Sequence, residues 1–209
     1  LEMPSVNATY GAKSYGVNQR LPDIPFYIQY GWKGGKGWLR LSGLIRDMQY
    51  HNSQFGKNSS QAGIAVKLSG VSPLTHSLNL YSQSVFGKGI ASYVQDLQGL
   101  GLDMVPVDGA SGRMEAVEVV GSYLGLQYMI SEKLSASATF SEVKCFMPDG
   151  FEDADGSAYK EGIYFVSNLI YKVSPVLTTG GEYLWGSRTN RDESTHHNNR
   201  IQASLRLNF

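Results

Sequence analysis

Apolar and polar residues alternate with a period of two along most of the chain, and helical periodicity is almost absent. The last ten residues show the pattern most plainly. Ile201, Ala203, Leu205, Leu207 and Phe209 fall on one face, and Arg200, Gln202, Ser204, Arg206 and Asn208 on the other. The same split recurs upstream, where Phe26, Ile28, Tyr30 and Trp32 oppose Gln29 and Lys33. Leu39, Leu41 and Ile45 oppose Arg40, Ser42 and Arg46, and Ile64, Val66 and Leu68 oppose Ala65, Lys67 and Ser69. Further two-faced segments run over 77–86, 134–140, 163–173 and 177–188. Around 117–129 both faces are apolar in the first half, so the faces are less distinct there. The pattern predicts nine strands of roughly 8–13 residues, longer than the ~5–6 common in soluble sheets and close to the ~9–11 that cross a bilayer when tilted.

The connections are read as sorted by length. Links at 34–37, 72–76, 131–133 and 174–176 are short; those at 51–61, 87–114, 147–160 and 190–199 are long, and the two kinds alternate. Transmembrane barrels have this arrangement, with short turns on the periplasmic side and long loops outside. Parity then puts the C-terminus on the short-turn side. Trp32, Trp38, Tyr128, Tyr171, Tyr183 and Trp185 lie near strand ends and are read as the aromatic girdle of the apolar face. Val6, Ala8 and Tyr10 against Asn7 and Thr9 add a tenth strand, rising to an outer loop over 12–23.

Composition narrows the class. Of 209 residues, 18 are Lys or Arg and 18 Asp or Glu, and charged residues make up 17%, below the roughly 25% of soluble domains. Zero net charge argues against nucleic-acid binding. The single cysteine, Cys145, excludes an internal disulfide framework and a multi-cysteine zinc site. No stretch is apolar enough for a transmembrane helix, which says nothing against a barrel whose apolar face is spread over alternate residues. The fold expected is therefore all-β: a transmembrane antiparallel up-and-down β-barrel with about nine to ten strands in residues 1–209.

The terminal Phe209, with apolar residues at alternate positions before it, resembles the C-terminal signal read by the outer-membrane barrel assembly machinery of Gram-negative bacteria. Three further stretches sharpen the likeness: Gln19-Arg20-Leu21-Pro22-Asp23-Ile24-Pro25, Leu39-Arg40-Leu41-Ser42-Gly43-Leu44-Ile45-Arg46-Asp47, and Gly87 to Leu97 (GKGIASYVQDL). Together they resemble the trimeric porins related to the DcaP dicarboxylate channels. The resemblance covers essentially the whole chain and matches the C-terminal half or slightly more of a barrel of about 16 strands. It implies that earlier strands belong to the same barrel. It also implies a bacterial outer-membrane location, a homotrimer, and dicarboxylates among the solutes.

In a large barrel the polar face lines a water-filled lumen. The register places Lys33, Arg40, Arg46, Lys67, Lys172, Arg188, Arg200 and Arg206 on that face, with Glu182 as its acid. Rings of Arg and Lys favour anions, and guanidinium groups match carboxylates in a bidentate way. Passive diffusion of small anionic solutes is therefore the expected function. Arg40 and Arg46, six residues apart, would be successive contacts about 20 Å apart along the strand. The 87–114 loop is the longest. Its Ser92, Tyr93, Gln95 and Asp96 are candidates for a constriction, with 91–98 read as two helical turns ended by Gly99.

Other signals are weaker. Asp149, Glu152, Asp153 and Asp155 form an acidic loop whose spacing does not fit an EF-hand. His196-His197 stands in a polar loop, and Cys145 reads as a small filler. Nothing in the sequence calls for a cofactor, a metal or a catalytic residue. The competing classes are a soluble β-barrel binding or adhesion protein and an outer-membrane barrel enzyme. The latter needs a nucleophile and base that no motif supplies.

Overall fold

The computed structural model describes residues 4–6, 15–17, 21–53, 55–108, 112–151, 153 and 156–209. Nine long strands form one antiparallel sheet in which each neighbour in sequence is a neighbour in space. They are β2 (Ile24–Trp32), β3 (Gly37–Asn52), β4 (Lys57–Pro73), β5 (Leu78–Lys88), β8 (Glu118–Met129), β9 (Leu134–Phe146), β10 (Tyr159–Lys172), β11 (Leu177–Asn190) and β12 (Thr195–Leu207). A short strand, β1 (Tyr15–Val17), pairs with the far end of β3, so β1 and β2 lie end to end along one edge. Between β5 and β8 a separate hairpin forms from β6 (Met104–Asp108) and β7 (Arg113–Ala116). The described sheet is open, with β12 on the other edge.

The register assigns every strand to two faces without conflict. Ile45 faces Ile64, which faces Lys88; Leu41 faces Leu68, which faces Ser84; Leu124 faces Phe140, which faces Phe165. Because opposed residues share a face, the outer face carries an apolar band across the sheet, interrupted at Ser82, Ser84 and Ser122. Its side chains are bare: Ile28 is 72% exposed and Leu124 and Leu169 are each 54% exposed. So large a contiguous apolar surface needs a cover. At the short-turn end it is bordered by Trp32, stacked on Tyr30 with ring centroids 6.1 Å apart, and by Tyr128 and Tyr171. At the other end charges appear on the same face. Lys88 pairs with Glu118 at 2.5 Å, and Lys144 with Glu142 at 2.6 Å and Glu161 at 3.0 Å. On β8 the band between Tyr128 and Val120 is about 26 Å of strand at 3.3 Å per residue. A 40° tilt reduces that to about 20 Å, comparable with the ~25 Å apolar belt of a membrane barrel.

Several sequence expectations change. The 51–61 and 190–199 links are not long loops: β3 and β4 extend to leave only 53–56 between them, and β11 and β12 leave 191–194. At 16 and 17 residues, β3 and β4 outrun the ~9–11 needed to span a bilayer, and the hairpin stands beyond it. The alternation of short and long links therefore holds only for the two connections at 89–117 and 147–158. Trp38 is not on the apolar face, because its register partners Gly31 and Val71 place it inward with Arg40. The expected outer loop at 12–23 contains β1 instead. Of the tenth strand, Val6 forms an isolated bridge with Leu102, and residues 7–10 lie outside the described residues.

Candidate functional site

The inner face carries the buried core of the molecule, because the 89–117 connection folds onto it. Gly89, with φ +66, turns the chain inward at the end of β5, a conformation that a side chain would resist. Its N–H donates to the Val117 carbonyl at 2.9 Å, closing the root of the loop. Ile90, Ala91, Leu97, Leu102 and Val105 then pack on Ala65, Val119, Cys145 and Tyr159 of the wall. This packing explains why both faces of β8 read as apolar: Val119 is covered by the loop while Val120 faces outward. Hairpin β6–β7 seats Met104 and Met114 on Met48 and Tyr50 of β3, with Val6 against the same cluster. The segment read as two helical turns is instead two separate 3₁₀ turns, Ala91–Tyr93 and Gln95–Leu97. Val94 separates them in extended conformation, and Gly99 follows at φ +77.

Two polar anchors hold the loop. The first is Arg46 of β3. Its Nη1 donates to the Gly89 carbonyl at 2.7 Å and to Ser92 Oγ at 3.2 Å. It pairs with Asp103 at 3.3 Å and, through Nε, with Asp23 at 3.1 Å. Its guanidinium lies over the Tyr93 ring at 5.0 Å, and the Tyr93 hydroxyl donates to Asp23 at 2.5 Å. Asp103 also accepts from the N–H groups of Ser5 and Ser92, at 2.8 and 2.9 Å. The second anchor is Asp96, which accepts hydrogen bonds from the hydroxyls of Tyr159 and Tyr164 on β10. Gly162 lies beneath them, and a Cβ there would enter the Asp96–Tyr159 contact.

The residues read from sequence as lumen charges therefore separate into groups. Arg46 does not face open water: it is 2% exposed and compensated by Asp23 and Asp103. Lys33 sits in the short turn, not in the wall, and donates to the Pro73 carbonyl at 2.7 Å. Arg188 binds Asn190 Oδ1 at 2.8 Å and the Ser157 carbonyl at 3.2 Å, holding the 147–158 connection. Arg40 donates to Gln29 at 2.9 Å and lies over Tyr27 and Trp38. Arg40, Lys67, Lys172, Arg200 and Arg206 have no acid partner among the described residues. Glu182 accepts from Gln202 at 2.6 Å. The inner face also holds acids that the strand pattern did not reveal, because Asp23, Asp96 and Asp103 arrive on connections. Tyr164 could have been found by parity, since it alternates with Phe165 toward the polar face.

Ser92, Tyr93, Gln95 and Asp96 all lie on the inward loop. Tyr93 and Gln95 roof a cleft of about 660 Å³ against the wall. Phe209 is fully exposed at the end of the edge strand. In the acidic loop, Asp153 accepts from the Ala158 N–H at 3.0 Å, while Glu152 and Asp155 lie outside the described residues. No group of three or more metal-ligating side chains comes together among the described residues.

An antiparallel sheet that is apolar outside and polar inside, with a loop folded against its inner face, defines the wall of a transmembrane porin-type barrel. Solved structures place the fold more closely. The chain superposes on the outer membrane channel DcaP of Acinetobacter baumannii with a TM-score of 0.82 and 17% identity, covering 100% of this chain and 56% of that one. It thus has the fold of a DcaP-like porin and spans little more than half the length of that channel. The NanC porin aligns with a TM-score of 0.41 at 15% identity, over 88% of this chain and 93% of the other. No family model matches the sequence, and no curated protein does.

Proposed function

We propose that this chain is part of the wall of a non-enzymatic bacterial outer-membrane channel through which small hydrophilic solutes, preferentially anions, diffuse. The carrying observation is the charge asymmetry of the inner face: five cations without an acid partner among the described residues, against Glu182 and the tyrosine-bound Asp96. Buried Arg46 adds little to that field, because two carboxylates compensate it. Arg40 and Lys67 are diagonal neighbours on adjacent strands, about 7–8 Å apart. They offer two carboxylate positions, in keeping with the dicarboxylate preference that the family resemblance implies. Lipid covers the apolar band, and further strands close the barrel, since an open edge in hydrocarbon leaves backbone groups unpaired at several kcal/mol each. The short turns and the C-terminus face the periplasm, where Phe209 serves the assembly machinery. Homotrimerisation accounts for the polar strip on the outer face, where Ser122 donates to Ser84 at 3.0 Å beside Ser82. The inward loop narrows the passage.

The test is the reversal potential of the full-length channel in a planar bilayer under a KCl gradient. Anion selectivity is expected, and the double variant Arg40→Glu, Lys67→Glu should move it toward cations. Cation selectivity of the unmodified channel overturns the reading.

A further inference from the structure

The 660 Å³ cleft lies between the inner face of β3, β4, β5, β8 and β9 and the roof formed by Tyr93, Val94 and Gln95. Its volume is within the ~300–1,000 Å³ usual for small-molecule sites. Gly121 leaves its floor hollow, between Val85 and Val143. Leu44, Val85, Val94 and Val143 make most of its surface apolar. Lys67 is the one charged side chain among the described residues that line it, and no acid partner meets its ammonium there. Gln83, two residues along the neighbouring strand from Val85, which stands opposite Lys67, adds an amide at the same end.

A purely hydrophilic passage has no use for an aliphatic hollow above a lone cation. We propose that the cleft is a binding site for monocarboxylates with a short hydrocarbon body. The carboxylate meets Lys67 and Gln83, and the chain lies on Leu44, Val85 and Val143 beneath the loop. This deepens the channel reading, because it treats the inner face as the solute path. It adds a requirement that charge alone does not make: affinity must rise with apolar length, as each buried methylene leaves water. A second anionic group at the far end of the chain, inside the cleft and away from Arg40, would lie against the aliphatic wall, where Lys67 is the one lining cation among the described residues.

The test is calorimetric titration of the full-length channel in detergent with acetate and with hexanoate, against empty micelles. Hexanoate should bind at least tenfold more tightly than acetate. Lys67→Met should weaken hexanoate at least tenfold, as expected for loss of a charge-assisted bond. Val85→Ser should weaken hexanoate and shrink its advantage over acetate. Equal binding of the two acids, or a Lys67→Met variant that holds hexanoate as well as the parent, overturns the site. A channel that conducts with anion preference yet binds the two acids equally keeps the channel reading and loses the cleft. A protein that binds hexanoate as described but carries no current keeps the cleft and loses the channel reading.

Discussion

Arg46 of β3 and Asp103 of the inward loop meet at 3.3 Å with both side chains fully buried. Asp23 closes the other side of the guanidinium at 3.1 Å. One wall cation therefore ties together three separate stretches of chain: the wall, the loop and the segment leading into β2. The break between β1 and β2 falls opposite this arginine, since Val17 pairs with Tyr50 and Ile24 with Ile45, leaving 46–49 without a strand partner on that edge.

Replacing Arg46 with Gln should release the loop. Removing one partner of a buried pair leaves an uncompensated charge and costs about 3–5 kcal/mol; here two carboxylates lose their cation. Limited proteolysis of the folded channel should cut within 89–117 in the variant and not in the parent. Single-channel records should show higher conductance with more open-channel noise. Asp103→Asn should have a smaller effect, because Arg46 keeps Asp23.

The Asp96 anchor should fail separately. Tyr164→Phe removes one of two hydroxyls donating to a carboxylate, a bond worth about 1.5–3 kcal/mol. Gly162→Ala pushes a methyl into the Asp96–Tyr159 contact and should act in the same direction. Hydrogen exchange read by mass spectrometry should show faster exchange at 95–98 in both variants. Peptides of β12, on the far side of β11, should not change.

Outer and inner positions should differ sharply in their tolerance of charge. Leu124→Arg puts a cation in the middle of the apolar band. It should destabilise the folded barrel by about 2–4 kcal/mol, measured by urea titration in lipid vesicles. Thr139→Arg, on the inner face opposite Gly125, should fold normally and shift the reversal potential.

The loop seat gives a further check on architecture. Val119→Asp buries a carboxylate within the apolar cluster of Ile90 and Leu102. The loop should detach, and protease should reach 89–117 as in the Arg46 variant, while the wall strands keep their far-ultraviolet dichroism.

The nine long strands and the face of nearly every residue on them were legible in the sequence, because a strand sends alternate side chains to opposite sides and the two solvents differ. Trp38 was the exception among the aromatics. Its type fits a girdle, but its parity is even with Arg40, and parity decides. Strand ends were less legible. Nothing in 51–61 distinguishes a polar loop from strands that continue past a membrane, since both are hydrophilic. The two-sided apolar stretch of β8 was a readable sign of something packed against the inner face, although not of what.

The charge census shows the boundary most clearly. Periodicity by itself determined that Arg40, Arg46 and Lys67 share the inner face, because register follows from alternation alone. Only the tertiary structure decided that Arg46 is neutralised while Arg40 and Lys67 keep their charge without an acid partner. The aspartates that meet Arg46 lie 23 residues before it and 57 after it, on connections with no period to read. Their positions are set by Gly89 turning the chain inward and by apolar packing beneath the loop, and that long-range contact leaves no local pattern in the sequence.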